Sequence, residues 1–440
     1  MHRVHNRGEL IIMNGQRRLQ NPMIKLHQPL RKKLLQTPLS TRNTTAIPVI
    51  IQFDHIIKRS RIHALRKQLG AHRMPVTRRL RLLNSIASRV SPKCLRQLCR
   101  CSGIRSIYLD RIRKTSLNIA TPSIGSATLQ KKKGLTGKGI NIAILDTGVF
   151  AHPDLTRPIN RIVAFKDFVN HRERPYDDNG HGTHIAGDAA GNGWVSKGVY
   201  QGAAPAAGIV AVKVLDKEGS GYDSTIIQGI EWCVANRKKL KLRILSLSFG
   251  GPSGTSCKDD PLCQAVELAV KAGLNVVAAA GNNGPGSGTV ESPGISPAAI
   301  TVGAVDDRRT VVQADDRITG FSSRGPAPGG SRKPDLVAPG ESIISLRAPG
   351  SALDRQLPYL RYGKAYFVLS GTSMSTPLVS GAIAQLLQQN PSLRPRQVKA
   401  ILKRNAFRLG LPANTAGSGE LNMRFLGVKS AFSKTKSRHS

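Results

Sequence analysis

Two apolar runs that do not alternate with polar residues, NIAILD at 141–146 and LNVVAAAGNNG at 274–284, narrow the possible folds of this 440-residue chain more than any other feature. A strand wet on one face alternates, whereas a short continuous run is buried on both faces, as in a parallel sheet with helices on each side. Each run also closes on polar chemistry. Asp146 stands at the carboxyl end of the first, where open α/β sheets put their sites. Two further segments read as buried helices. NGHGTHIAGDAA (179–190) is Ala-rich, with a glycine on each side of His181 that lets other groups approach closely. SMSTPLVSGAIAQLLQQN (373–390) is small or aliphatic all round, with Pro377 expected in its first turn and Ser373 at its start, where free N–H groups and the helix dipole favour an oxyanion.

Asp146, His181 and Ser373 together carry a recognisable chemistry. A serine hydroxyl is a poor nucleophile at neutral pH; an imidazole must take its proton, and a carboxylate must hold that imidazole in the right tautomer. The three lie in the strings LDTG (145–148), HGTH (181–184) and SGTSMSTP (370–377), in the order Asp, His, Ser. That order with these flanks resembles the subtilisin-like serine peptidases, over about residues 134–426, including FSSRGP (321–326), KPDLVAPG (333–340) and GSGELN (417–422). The layout is similar to that of bacterial intracellular alkaline proteases of that family. The resemblance implies a three-layer α/β sandwich around a mostly parallel sheet, and an endopeptidase acting on protein or peptide substrates. It makes Asn282 an oxyanion donor. It puts substrate-binding strands at GSGY (Gly219, Ser220, Gly221) and in LSLSFGGP (Ser248, Phe249, Gly250). Aligning VESPG with the family sets Glu291 where a small residue usually floors the pocket for the side chain before the scissile bond. A carboxylate there would attract Lys or Arg; the other reading turns Glu291 to solvent or against an Arg. No cofactor is required. Calcium is implied only at Asp154 in HPDL, and the matching loop GNGWVSKGVYQG (191–202) lacks the family's Asn-rich pattern, so a capping or surface carboxylate is the alternative and no metal is assigned.

Charge divides the chain. Of 66 Lys and Arg against 26 Asp and Glu, residues 1–114 hold about 26 of the former and only 3 acids. A basic segment can bind nucleic acid or anionic lipid, but zinc-finger spacing and stacking aromatics are missing, so a catalytically silent or nucleic-acid-associated protein is the weaker alternative to an enzyme. Residues 1–45 read as a poorly ordered basic extension and 431–440 as a basic tail flanking a catalytic domain at 115–430. Between them, 46–114 reads as a small α+β module: a strand at AIPVIIQF (46–53), a helix over 56–70 ended by Gly70, strand or helix at LRLLNSIASRV (80–90), a helix over 91–103 capped by Ser91, and a strand at IRSIYLD (104–110). Its position resembles the family's propeptide, a folding template and inhibitor whose tail lies in the cleft. Family spacing counted back from Asp146 sets the maturation junction at Lys114–Thr115; the basic run Lys131–Lys133 lies too close to the first core strand to extend into a cleft.

The six cysteines form no CxxC pair, which argues against zinc. Cys257 and Cys263 could close a small loop in an exported protein; reduced thiols are the expectation for a chain without a secretory signal. His184 reads as structural. No apolar run reaches the roughly 20 residues of a membrane span, and the first twenty residues lack a signal-peptide core, so the expectation is a cytoplasmic protein or one exported by another route. Nothing in the sequence specifies an oligomer.

Overall fold

The computed structural model describes residues 25–27, 30, 34, 46–56, 59–69, 74–110, 112–115 (backbone only), 123–308 and 310–427. Gly70, most of the 1–45 extension and the 431–440 tail lie outside the described residues.

The N-terminal unit is a four-stranded antiparallel sheet, order β2-β3-β1-β4, of β1 (Ile47–Phe53), β2 (Val76–Leu80), β3 (Ser85–Val90) and β4 (Ile104–Leu109). Helices Arg59–Leu69 and Pro92–Arg100 cover one face, packing Leu65, Leu69, Leu95 and Leu98 against Val49, Ile51 and Ile107. Ser91 caps the second helix as expected, accepting from Cys94 N at 3.2 Å with Pro92 just inside. The ambiguous stretch 80–90 divides: Arg81–Leu83 is one 3₁₀ turn, left-handed Asn84 reverses the chain, and β3 follows.

Beyond a short strand β5 (Ile112–Thr115) the main sheet begins. Its strands β6 (Asn141–Asp146), β7 (Ile162–Asp167), β8 (Gly208–Lys213), β10 (Leu242–Leu247), β12 (Asn275–Ala279) and β13 (Ile300–Asp306) run parallel in the order β13-β12-β10-β6-β8-β7, with β9 (Ser220–Tyr222) and β11 (Phe249–Gly250) standing outside it. A two-residue strand β14 (Arg317–Ile318) pairs antiparallel with β13, and β15 (Leu336–Pro339) pairs parallel with it. Successive residues of β6 feed different cores, Ile142 and Ile144 one layer and Ala143 and Leu145 the other. That is why the run could not alternate. The first layer holds helices His181–Ala190 and Thr372–Gln389, the second Asp223–Asn236 and Pro261–Lys271. This is the α/β three-layer sandwich of the sequence reading.

Pro377 departs from expectation. The helix begins at Thr372, which puts the proline in the second turn, where it leaves the Ser373 carbonyl without its usual N–H donor. The free face of the N-terminal sheet lies on the second layer, where Ile50, Leu80, Leu83 and Tyr108 join Ile226, Ile230, Leu262 and Val266 in one apolar cluster. Polar contacts mark the same seam. Asp110 accepts from Ser224 N (2.9 Å) and Ser224 Oγ (2.5 Å) at the start of helix Asp223–Asn236, and Glu231 of that helix accepts from Leu82 N. Burial, and for Asp110 also the facing Asp223, pushes each of these carboxyls up to about 7.

Cys257 and Cys263 are disulfide-bonded, correcting the expectation of reduced thiols. Their side chains meet because Asp260 caps helix Pro261–Lys271, accepting from Cys263 N at 3.0 Å, and so folds the 3₁₀ turn Cys257–Asp259 back onto that helix. The other four cysteines, Cys94, Cys99, Cys101 and Cys233, are buried and not disulfide-bonded. No helix among the described residues is long and apolar enough to cross a membrane.

Candidate active site

Asp146, His181, Asn282 and Ser373 come from four elements of the first layer and the strand ends beneath it. Asp146 ends β6; Asn282 follows β12; His181 opens the helix His181–Ala190; Ser373 is the second residue of the helix Thr372–Gln389. His181 Nδ1 is 2.8 Å from Asp146 Oδ1, and both side chains are buried. The contact assigns the proton to Nδ1 and leaves Nε2 as the acceptor. Close approach makes this pair possible: a Cβ on Gly182 would lie 2.1 Å from the Gly148 carbonyl oxygen and 3.1 Å from Asp146 Cβ.

The amide of Asn282 is oriented by the helix that carries Ser373. Its Oδ1 accepts from Thr372 N (2.9 Å) and Thr372 Oγ1 (3.2 Å), which leaves Nδ2 buried with no hydrogen-bond partner among the described residues. An unmet buried donor costs about 1–3 kcal/mol, recovered when an acceptor arrives. Ser373 Oγ is likewise buried and has no partner among the described residues.

β5 forms the middle strand of a three-stranded antiparallel sheet between β9 and β11. Ile112, Arg113 and Lys114 pair with Tyr222, Gly221 and Ser220, while Lys114 and Thr115 pair with Gly250 and Phe249. The chain after the N-terminal unit thus runs between the two segments singled out as substrate-binding. Gly219 forms the turn before β9, donating to Asp216 O at 3.0 Å. Ser248 links β10 to β11, and both are buried together with Phe249, whose ring belongs to the second core layer. Phe249 therefore offers the ladder backbone alone.

Glu291 is buried, at 7% exposure, and its Oε1 accepts from Asn283 Nδ2. A Cβ on Gly250 would fall 2.1 Å from its Oε2, and one on Gly281 2.6 Å from its Cγ. The carboxylate fills a notch left by two glycines, beneath the residue that faces Lys114. At that exposure it does not point to bulk solvent.

Asp154 is buried, its Oδ1 accepting from Val195 N in the 191–202 loop and its Oδ2 from Tyr366 OH, each at 2.9 Å. Among the described residues no group of three or more His, Cys, Asp or Glu is disposed to hold a metal. His184 is structural, as expected: buried, with Nδ1 3.0 Å from Asp188 Oδ2 on the same helix. Sequence reading missed Asp177, which accepts from Thr147 Oγ1, Gly180 N, Thr183 N and Thr183 Oγ1 and so ties the turn after Asp146 to the start of the His181 helix. It also missed Lys213. A lysine inside the apolar run GIVAVKVL was the available signal.

Residues 137–428 match the model of the subtilase family, described as Peptidase_S8. Serine protease AprX of Bacillus subtilis is 42% identical over 399 residues, covering 88% of this chain and 89% of that protein. Subtilisin Savinase of Lederbergia lenta is 40% identical over 291 residues, 66% of this chain and 91% of its own. Among solved structures, fervidolysin of Fervidobacterium pennivorans, described as a keratinolytic enzyme related to subtilisin, superposes with a TM-score of 0.67 at 22% identity; it covers 88% of this chain, which spans 61% of fervidolysin's length.

Proposed function

This chain belongs to the subtilase family and is a subtilisin-like serine protease, and from that premise we propose that it is a self-processing endopeptidase whose N-terminal unit, residues 46–114, is its propeptide. Ser373 Oγ attacks the substrate carbonyl while His181 Nε2 takes its proton. The tetrahedral oxyanion is held by Asn282 Nδ2 and the Ser373 backbone N–H, and Asp146 keeps the imidazole oriented and stabilises it when charged. Collapse expels the amine, which receives the proton from His181, and leaves an ester on Ser373. Water, deprotonated by His181, then hydrolyses the ester. No step calls for a metal or cofactor.

The observation that carries this reading is the ladder of β5 with β9 and β11. A peptide held on both edges presents its backbone extended, and main-chain pairing of this kind binds many sequences. The enzyme therefore accepts protein substrates broadly and discriminates at one pocket, where Glu291 prefers Lys or Arg before the scissile bond. Its own first substrate is the bond Lys114–Thr115: Lys114 pairs with Ser220 of β9 and Gly250 of β11, and Thr115 with Phe249 of β11.

The test is expression of wild type and Ser373→Ala, with intact mass and N-terminal sequencing of each. Wild type is expected to yield a chain beginning at Thr115 and to take a fluorophosphonate label on Ser373, while Ser373→Ala stays full length. A pure Ser373→Ala protein that still processes itself removes the nucleophile assignment. An active wild type that begins at Met1 only, or at or beyond Gly134, removes the junction.

A further inference from the structure

We propose that Lys213 is a positioning residue for the Asp146–His181 pair, its ammonium joining the turn after the carboxylate to the loop before the imidazole. The proposal rests on the triad reading above and extends it to a group that touches neither substrate nor the reacting atoms. Lys213 ends β8 directly beside Asp146 in the parallel ladder and is fully buried. An ammonium carries three N–H donors, and here three oxygens receive them: Thr147 O at 2.6 Å, Asp178 Oδ1 at 2.7 Å and Leu215 O at 2.9 Å.

Those acceptors belong to three separate stretches of the site. Thr147 follows Asp146, donates its N–H to Asp146 Oδ1 at 2.8 Å, and accepts from Gly182 N through Oγ1 at 2.9 Å. Asp178 precedes Asn179, whose Oδ1 receives His181 N at 3.1 Å and whose Nδ2 donates to Lys217 O at 2.9 Å. Leu215 starts the segment leading to β9 and donates to Asp146 O at 3.2 Å. One cation thus holds the carboxylate turn, the imidazole loop and the approach to one cleft wall. No neutral side chain supplies three donors from one atom, and a guanidinium spreads its donors over a planar fork instead of gathering them on one nitrogen.

Charge is the second part of the argument. Lys213 and Asp178 form a pair whose acid is 30% exposed while the ammonium is not. Asp146, His181, Asp167, Asp177 and Tyr176 are the other ionisable groups around them, the Tyr176 ring lying 5.2 Å from the ammonium. Asp188, paired with His184, lies two turns further along the His181 helix. With both members present the pair is close to neutral toward His181. Removing one member leaves the other's charge acting on it, with opposite signs in the two cases.

The experiment compares Lys213→Met, Asp178→Asn and the double variant with wild type on a short ester substrate. Active sites are counted by fluorophosphonate labelling so that rates are per competent enzyme. Lys213→Met is expected to lower kcat about tenfold to a hundredfold, as a misplacement of a catalytic pair does, with KM within about threefold. The acid limb of kcat/KM moves to higher pH in Lys213→Met, where an uncompensated carboxylate favours imidazolium. It moves to lower pH in Asp178→Asn, where an uncompensated ammonium opposes it. In the double variant the limb returns toward wild type while kcat stays low. If Lys213→Met does not fold, the shift in Asp178→Asn carries the test alone. Unmoved limbs in the labelled variants, or a loss confined to the fraction of labelled protein, overturn the positioning role. A wild type that takes no label refutes the triad reading instead.

Discussion

Replacing Glu291 by Gly should cost this enzyme about ten- to a hundredfold in kcat/KM on substrates with Lys or Arg before the scissile bond, and little on substrates with Leu or Phe there. The size follows from the geometry. The carboxylate is 7% exposed and wedged where Gly250 and Gly281 lack side chains. A cation about 4 Å away would gain about 4 kcal/mol of Coulomb energy at an effective dielectric near 20. Dehydrating the incoming cation offsets part of that gain, leaving about 1.5–3 kcal/mol for a charge-assisted contact, and each 1.36 kcal/mol is a factor of ten. Glu291→Gln separates charge from shape, since an amide can keep a contact with Asn283. It should lose most of the preference, and substrates with Asp or Glu at that position should improve in both variants. The assay is kcat/KM on a peptide series differing only in the residue before the cleaved bond. A wild type that prefers Phe or Leu over Arg, or an unchanged ratio in both variants, would refute the reasoning.

Asn282→Ala should reduce kcat roughly 100- to 1,000-fold with KM little changed, a magnitude carried over from the equivalent asparagine of a subtilisin, and steady-state kinetics on a short amide substrate would show it. Gly182→Ala should abolish measurable turnover, because its methyl would sit 2.1 Å from the Gly148 oxygen and push the His181 helix off Asp146; near-normal kcat would contradict the packing. Docking of the N-terminal unit should weaken as pH rises. Asp110 is pushed from 3.8 up to about 7 in the docked state, so that state holds a proton which the released one does not; the contribution is whole below about pH 4 and lost as pH passes through 7. Inhibition of processed enzyme by the retained N-terminal unit, followed from pH 5 to 8, should relax over that window and become shallower in Asp110→Asn, where Glu231, also pushed up to about 7 at this seam, keeps its own share of the dependence; inhibition that tightens with pH would reverse the sign of the argument.

The sequence was most informative where one local pattern has one outcome. NIAILD and LNVVAAA had to be buried strands, and Gly180, His181 and Gly182 had to accompany a close contact, because nothing else satisfies such residues. β2 escaped notice since VTRRL offers little apolar surface and pairs only along one side, with β3. The disulfide escaped because the argument ran through cellular compartment, whereas the cap of Asp260 decides whether the two sulfurs meet. Phe249 was read for its place in a family strand, and only packing shows that its ring belongs to the core. Lys213 and Asp177 were hidden for a related reason: their value lies in which oxygens and N–H groups the fold gathers around them.

The pairing distances along the chain have a bearing on how this protein is made. Every pairing between β1, β2, β3 and β4 closes within residues 47–109, whereas β6 must wait for β10, which begins about a hundred residues later. Loop-closure entropy makes the second process the slower one. During synthesis the N-terminal sheet is complete first and offers Ile50, Leu80 and Tyr108 as a ready surface for the helices of the second layer. A chain from which that surface had been detached would have to form the same long-range pairings without it, so its durability is expected to be set by its rate of unfolding and to read as a half-life.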